Sequence, residues 1–158
     1  MITKNLKNLM LGYLCNYTSN VPLVFETGIK SNASVNNYAF TPSKLTTTGS
    51  SAGQVACFLG GGTTKETEND YKLETEYFSD FTKDSFVLSQ NLNHDLDVKN
   101  VNIRYIATFT NNTSSAKTVS EIGLYWWHSN YRVLLYRETF EPVTIASGET
   151  KTFTIVLS

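Results

Sequence analysis

The stretch Val101-Asn102-Ile103-Arg104-Tyr105-Ile106-Ala107-Thr108-Phe109-Thr110 decides the fold class. Val101, Ile103, Tyr105, Ala107 and Phe109 take alternate positions, opposed by Asn102, Arg104, Thr108 and Thr110. A period of two with one apolar side means a strand with one buried face. Phe153, Ile155 and Leu157 repeat the pattern against Thr152 and Thr154. Outward from these, shorter apolar runs at 54–59, 72–78, 85–89, 119–127, 131–138 and 143–145 read as further strands. Short polar connections at 111–115, 128–130 and 146–149 separate them, the last read as a hairpin turn. Turn signals every 8–12 residues or so mark an antiparallel sandwich or barrel.

Composition agrees. The chain has 158 residues, and 21 Thr, 15 Ser and 15 Asn make up about a third of them. Their hydroxyl and amide groups favour turns, caps and the solvent faces of strands over helix interiors. A net charge of −1 and scattered Lys and Arg lack the cationic footprint of a nucleic-acid or anionic-membrane binder. No apolar stretch approaches the length of a membrane span. Residues 1–14 are interrupted by Asn5, Lys7 and Asn8 and so lack the unbroken core of a signal peptide, which implies assembly in a cytoplasm. Cys15 and Cys57 have no metal-binding spacing and read as buried thiols. The triplets opened by Asn16, Asn32, Asn111 and Asn112 carry no glycan meaning without secretion.

Ile2, Leu6, Leu9, Met10, Tyr13 and Leu14 recur at helical spacing, with Thr3 placed to cap and Gly12 weakening the end. A helix this short is marginal alone. It must dock its apolar face, either on its own sheet or on a partner subunit, and both uses need the same residues. The Asn-, Ser- and Thr-rich region from Asn16 to Ser51, with short apolar runs at 21–25 and 38–40 and a polar run at 46–51, reads as an extended arm or as long loops with one or two short strands. The expected organisation is an amphipathic helix and attachment arm over 1–52, followed by a β-sandwich over 53–158, Ig-like or jelly-roll in topology.

Catalytic and cofactor chemistry is poorly supplied. His94 and His128 stand in no nucleophile or metalloprotease motif. Gly60-Gly61-Gly62-Thr63-Thr64-Lys65 does not meet the phosphate-loop spacing and reads as a turn that uses glycine's φ freedom. His94, Asp95 and Asp97, with Asp80 and Asp84 nearby, have no EF-hand or zinc spacing and read as solvated loop charges. No catalytic residue, metal ligand or cofactor is expected. Trp126, Trp127, His128, Tyr131 and Tyr136 form the densest aromatic cluster. Adjacent residues on a strand point to opposite faces, so only one of Trp126 and Trp127 is expected in the core. The other is expected on the outer face or an edge, where, beside Tyr131, it would serve subunit or intramolecular packing or stack on a sugar ring.

Two segments carry a resemblance. Leu59 to Thr64 with Glu68 to Leu73 is similar to a "G-G-T-T…D-Y-x-L" passage, and Ser120-Glu121-Ile122-Gly123-Leu124, Leu134-Leu135-Tyr136-Arg137 and Gly148-Glu149-Thr150 to an "S-E-I-G-L…L-L-x-R…G-E-T" passage. Both resemble virion structural proteins of tailed bacteriophages: capsid-decoration or auxiliary, head-fibre and tail-fibre β-sandwiches. The resemblance implies a non-enzymatic virion subunit that meets the major capsid protein or other virion subunits and forms a homo-oligomer. A capsid auxiliary or head-fibre protein is the leading expectation, followed by a tail component or a carbohydrate-binding adhesion module. Ile2, Leu6, Leu9, Met10 and Tyr13 would form its docking helix, and Trp126, Trp127 and Tyr131 its aromatic anchors. Near-neutral charge would suit the outside of a particle. Within the motif, Gly123 admits a close neighbour in mid-strand, and Arg137 is expected to pair with Glu121 across adjacent strands.

Overall fold

A computed structural model of the chain describes residues 1–14, 21–33, 53–91, 102–128 and 130–157. They form helix α1 (Lys4–Leu14) and strands β1 (Val21–Val24), β2 (Lys30–Ala33), β3 (Val55–Gly60), β4 (Phe81–Asn91), β5 (Asn102–Asn111), β6 (Lys117–His128), β7 (Tyr131–Ile145) and β8 (Thr150–Leu157). One sheet has the order β3-β6-β7 and another β4-β5-β8, with β1-β2 a separate pair. All pairings are antiparallel. The protein is an all-β, sandwich-like fold with one short helix.

The deciding stretch keeps its alternation but buries only part of its apolar face: Ile103 is 39% exposed and Tyr105 half-buried. Ala107 and Phe109 are buried, while Thr108 and Thr110 lie on the opposite face. There Thr108 Oγ1 meets Thr152 Oγ1 of β8 at 3.0 Å. Phe86, Phe109 and Ile155 of this sheet join Cys57, Leu124, Trp126 and Val133 of the other in the main core.

The β3-β6-β7 sheet is buried on both faces. Ala56, Phe58, Tyr125, Trp127 and Leu134 point away from the main core and form a second cluster with Leu73, which is carried in by the segment after β3. β6 is therefore buried without a break from Val119 to Trp127, the pattern of a strand covered on both sides.

Three expected elements differ. Residues 72–78 make no strand beyond a bridge from Glu76 to Gly60; Glu121 and Tyr125 take the N–H groups of Leu73, Glu74 and Thr75 instead. The runs at 131–138 and 143–145 are one strand, because Pro142 sits where β7 is an edge and no ladder donor is needed. The turn at 146–149 joins strands of different sheets, so it is a corner and not a hairpin. Asn111 ties that corner together: Nδ2 donates to Ser115 O and Ile145 O, both at 2.9 Å, and Oδ1 accepts from Thr113 N at 2.9 Å.

The N-terminal segment is built into this body. Thr3 N–H bonds to Leu135 O and Arg137 N–H to Met1 O, which adds a short strand segment to the edge of β7. Thr3 Oγ1 also accepts from Leu6 N at 3.4 Å, the expected cap. Leu6 and Leu9 then enter the same core as Val21, Leu23 and Phe25 of the β1-β2 region. Of the expected arm over 1–52, the helix and residues 21–26 are packed on the sandwich and 27–33 continue as a turn and strand β2, exposed through residue 32, while the rest, with Cys15 and Asn16, lies outside the described residues.

Candidate functional site

The densest polar chemistry lies under the loop that covers the outer face of the β3-β6-β7 sheet. Glu121 has no exposed surface and Arg137 is 4% exposed. A bulge in the β6–β7 pairing at Leu124/Tyr125 brings Arg137 opposite Gly123, on the face that Glu121 shares. Arg137 Nε donates to Glu121 Oε2 at 2.8 Å, Nη1 to Asp70 Oδ2 at 2.8 Å and Nη2 to Thr64 O at 3.0 Å. The Glu121 carboxylate also accepts the N–H groups of Gly62 (2.9 Å), Glu74 (3.1 Å) and Thr75 (2.8 Å). Burial works against the Arg137 charge, but the bonds to Asp70 and Glu121 outweigh it and hold the pKa above the ordinary value. A buried ion pair needs this degree of hydrogen bonding to offset its desolvation.

Gly60 and Gly62 serve this centre by lacking a side chain, and Gly61 makes room for Tyr77 beside it. A Cβ on Gly60 would stand 2.5 Å from Glu121 Oε1 and from Thr75 O; one on Gly62 would stand 2.6 Å from Glu121 Oε1. One on Gly61 would collide with the Tyr77 hydroxyl. None of the three has a positive φ. Close approach, and not the conformational freedom expected of a turn, is what requires glycine here. Gly123 meets the same condition, since its Cβ would lie 2.7 Å from Leu73 Cδ2.

Farther along that face, Phe58, Phe78, Tyr125 and Trp127 surround the Arg132 guanidinium at 4.8 to 5.6 Å from their ring centroids. Arg132 also pairs with Glu76 at 2.6 Å and with Glu26. Lys83 Nζ stands 3.3 Å from the Phe58 centroid. Burial, joined by the neighbouring Arg132 charge and only partly offset by Glu76, lowers its pKa to about 8. Burial also pushes the free Cys57 thiol far above its usual range, so it is no nucleophile.

The predicted interface residues divide. Leu6 and Leu9 are buried in the protein's own core, so that face of α1 is already occupied, whereas Met10 is 49% exposed. Ile2 bridges to Tyr136 on β7. Tyr13 belongs to α1, with its side chain outside the described residues. Trp126 and Trp127 are both buried, at 4% and 7%, in the two clusters on opposite faces. Neither is the exposed anchor expected of one of them, because the 62–78 segment covers the second face. Tyr131 remains exposed and stacks on Phe25 at 5.0 Å. Phe78, which the aromatic reading passed over, is the more exposed ring at 57% and stacks on Phe58. Trp126 Nε1 is buried without a hydrogen-bond partner.

Among the described residues no three His, Cys, Asp or Glu side chains converge as metal ligands. Asp80 pairs with Lys117 at 2.9 Å, Asp84 accepts from Thr110, and His94, Asp95 and Asp97 lie outside the described residues. No described helix is long and apolar enough to cross a membrane. No family model matches the chain, and neither curated proteins nor solved structures supply a similar one.

Proposed function

We propose that the chain is a non-enzymatic building block of a tailed-phage virion, a capsid auxiliary or head-fibre subunit that meets the major capsid protein and copies of itself. One observation carries the reading. Among the residues behind the resemblance, Gly60, Gly62, Asp70 and Arg137 all meet inside the molecule around Glu121, and Gly123 packs against Leu73 of the same passage. A motif whose polar groups are consumed internally specifies a rigid module and presents no reactive group at its surface. A net charge of −1 suits a position away from packaged nucleic acid. Quantitative mass spectrometry of density-purified particles of the encoding phage tests this. The chain should persist at fixed stoichiometry to the major capsid protein, and its loss on purification rejects the reading.

A second reading, a glycan-binding adhesion module, draws on the exposed rings of Phe78 and Tyr131. Aromatic faces of this kind stack on sugars. Glycan-array binding that disappears with Phe78→Ala or Tyr131→Ala, in a protein absent from particles, would favour it.

A further inference from the structure

Among the described residues, the sheet edges differ in how they are closed. β3 is covered at its end by residues 75–77, through Gly61 N–H to Thr75 O and Tyr77 N–H to Leu59 O. β7 is covered by residues 1–3 and carries Pro142. β4 has a bulge between Lys83 and Ser85, with the exposed Asp84 in it. β1 is capped by Asn5, whose side chain both donates to Val24 O and accepts from Val24 N at 2.8 Å, and β2 has only four residues. These are the devices that prevent strand addition.

β8 has none of them. It runs straight for eight residues, Thr-Lys-Thr-Phe-Thr-Ile-Val-Leu, paired with β5 on one side in unbroken register. Its lysine does not guard the edge: Lys151 Nζ turns back to Thr144 O at 3.0 Å and to Glu149. The phase of the ladder follows from Asn111 N–H donating to Glu149 O. Hydrogen-bonded pairs then recur at 151, 153, 155 and 157, leaving the backbone groups of Thr150, Thr152, Thr154 and Val156 facing outward. The close Thr108–Thr152 and Thr110–Thr150 hydroxyl contacts, at 3.0 and 2.6 Å, have the geometry of non-hydrogen-bonded pairs and agree with that phase.

We propose that β8 is where two copies of the chain join, antiparallel across a two-fold axis, into one six-stranded sheet. The strand is self-complementary. Setting Thr152 opposite Thr154 of the second copy, and Thr150 opposite its Val156, keeps the two faces of the joined sheet aligned. Lys151 then faces Ile155, so no like charges oppose each other. The biological setting rests on the virion reading; the geometry does not.

Analytical ultracentrifugation of the purified full chain should give a concentration-dependent species of twice 17.7 kDa. Thr154→Pro removes an outward donor and no bond to β5, so it should leave a folded monomer. A wild-type chain that stays monomeric at high concentration overturns the proposal, as does a dimer that survives Thr154→Pro. Should that variant misfold, amide exchange on the wild type decides. Thr152, Thr154 and Val156 should exchange several-fold more slowly in concentrated than in dilute solution, and equal rates reject the interface. A β8-dependent dimer absent from particles would reject the virion reading alone.

Discussion

Arg137 Nε and Glu121 Oε2 lie 2.8 Å apart on neighbouring strands, with 4% and 0% of their side chains exposed. Around them the segment from Gly62 to Thr75 is held largely by side chains, with only a short ladder contact to β3 at its end. The pair thus fastens a loop over the sheet, and that loop in turn buries Phe58, Tyr125 and Trp127.

Removing one member should be severe. Arg137→Met leaves the Glu121 carboxylate buried without its cation, and the expected loss is about 3–5 kcal/mol. Urea denaturation measures it. A midpoint within error of wild type would show that the pair does not hold the loop.

The glycine run tests the same centre from the opposite side. Gly60→Ala places a methyl group 2.5 Å from both Glu121 Oε1 and Thr75 O. The strain should cost about 1–3 kcal/mol. Thermal unfolding followed by circular dichroism reads it, and a neutral result would mean that the loop shifts at no cost.

α1 gives a contrast within one helix. Leu9 is fully buried, and Leu9→Ala should cost about 2–5 kcal/mol. Exposed Met10→Ala should stay within about 0.5 kcal/mol. Equal stabilities for the two variants would place the helix away from the sheet.

Lys83 supplies a pH dependence. Its pKa falls to about 8 in the folded protein, against roughly 10.4 in an unfolded chain. Between those values the unfolded state holds more protons on this group, so the Lys83 contribution to stability rises with pH, by up to roughly 3 kcal/mol before solvent screening, while the buried Cys57 thiol works in the opposite sense above about pH 8.5. The neighbouring groups, Cys57, Glu76 and Arg132, remain in Lys83→Met. That variant should lack the rise, visible as a wild-type-minus-variant difference that changes from about pH 8 to about pH 10. A difference flat across that range contradicts the burial of the ammonium.

Asn111 makes the corner sensitive to a single amide. Asn111→Ala strands the Ser115 and Ile145 carbonyls and the Thr113 N–H, at a cost of about 1–3 kcal/mol. Guanidinium unfolding should show the shift, and an unchanged midpoint would mean that water replaces the amide.

Much of this was legible because it depends on local spacing. The alternation of 101–110 and of Phe153, Ile155 and Leu157 named the strands and which face turns inward, since the side-chain period of a strand is two regardless of its neighbours, but not how deep each residue lies: Ile103 stays exposed. The cross-strand pairing of Glu121 with Arg137 was readable from complementary charge. Trp127 was not, because its burial depends on a loop far away in sequence. The unbroken apolar run from Ile122 to Trp127, interrupted only by Gly123, was the available signal.

By itself, then, the sequence determined most of the strands and their inward-turned faces, set by residue spacing along the chain, and the ion pair, set by complementary charge. Only the tertiary structure decided that the 62–78 segment covers a second face, that Gly60 and Gly62 yield space to the Glu121 carboxylate, and that Leu6 and Leu9 bind the protein's own sheet. Each of these rests on which remote surface is near enough to exclude water, and hydrophobic burial carries no directional code in the chain.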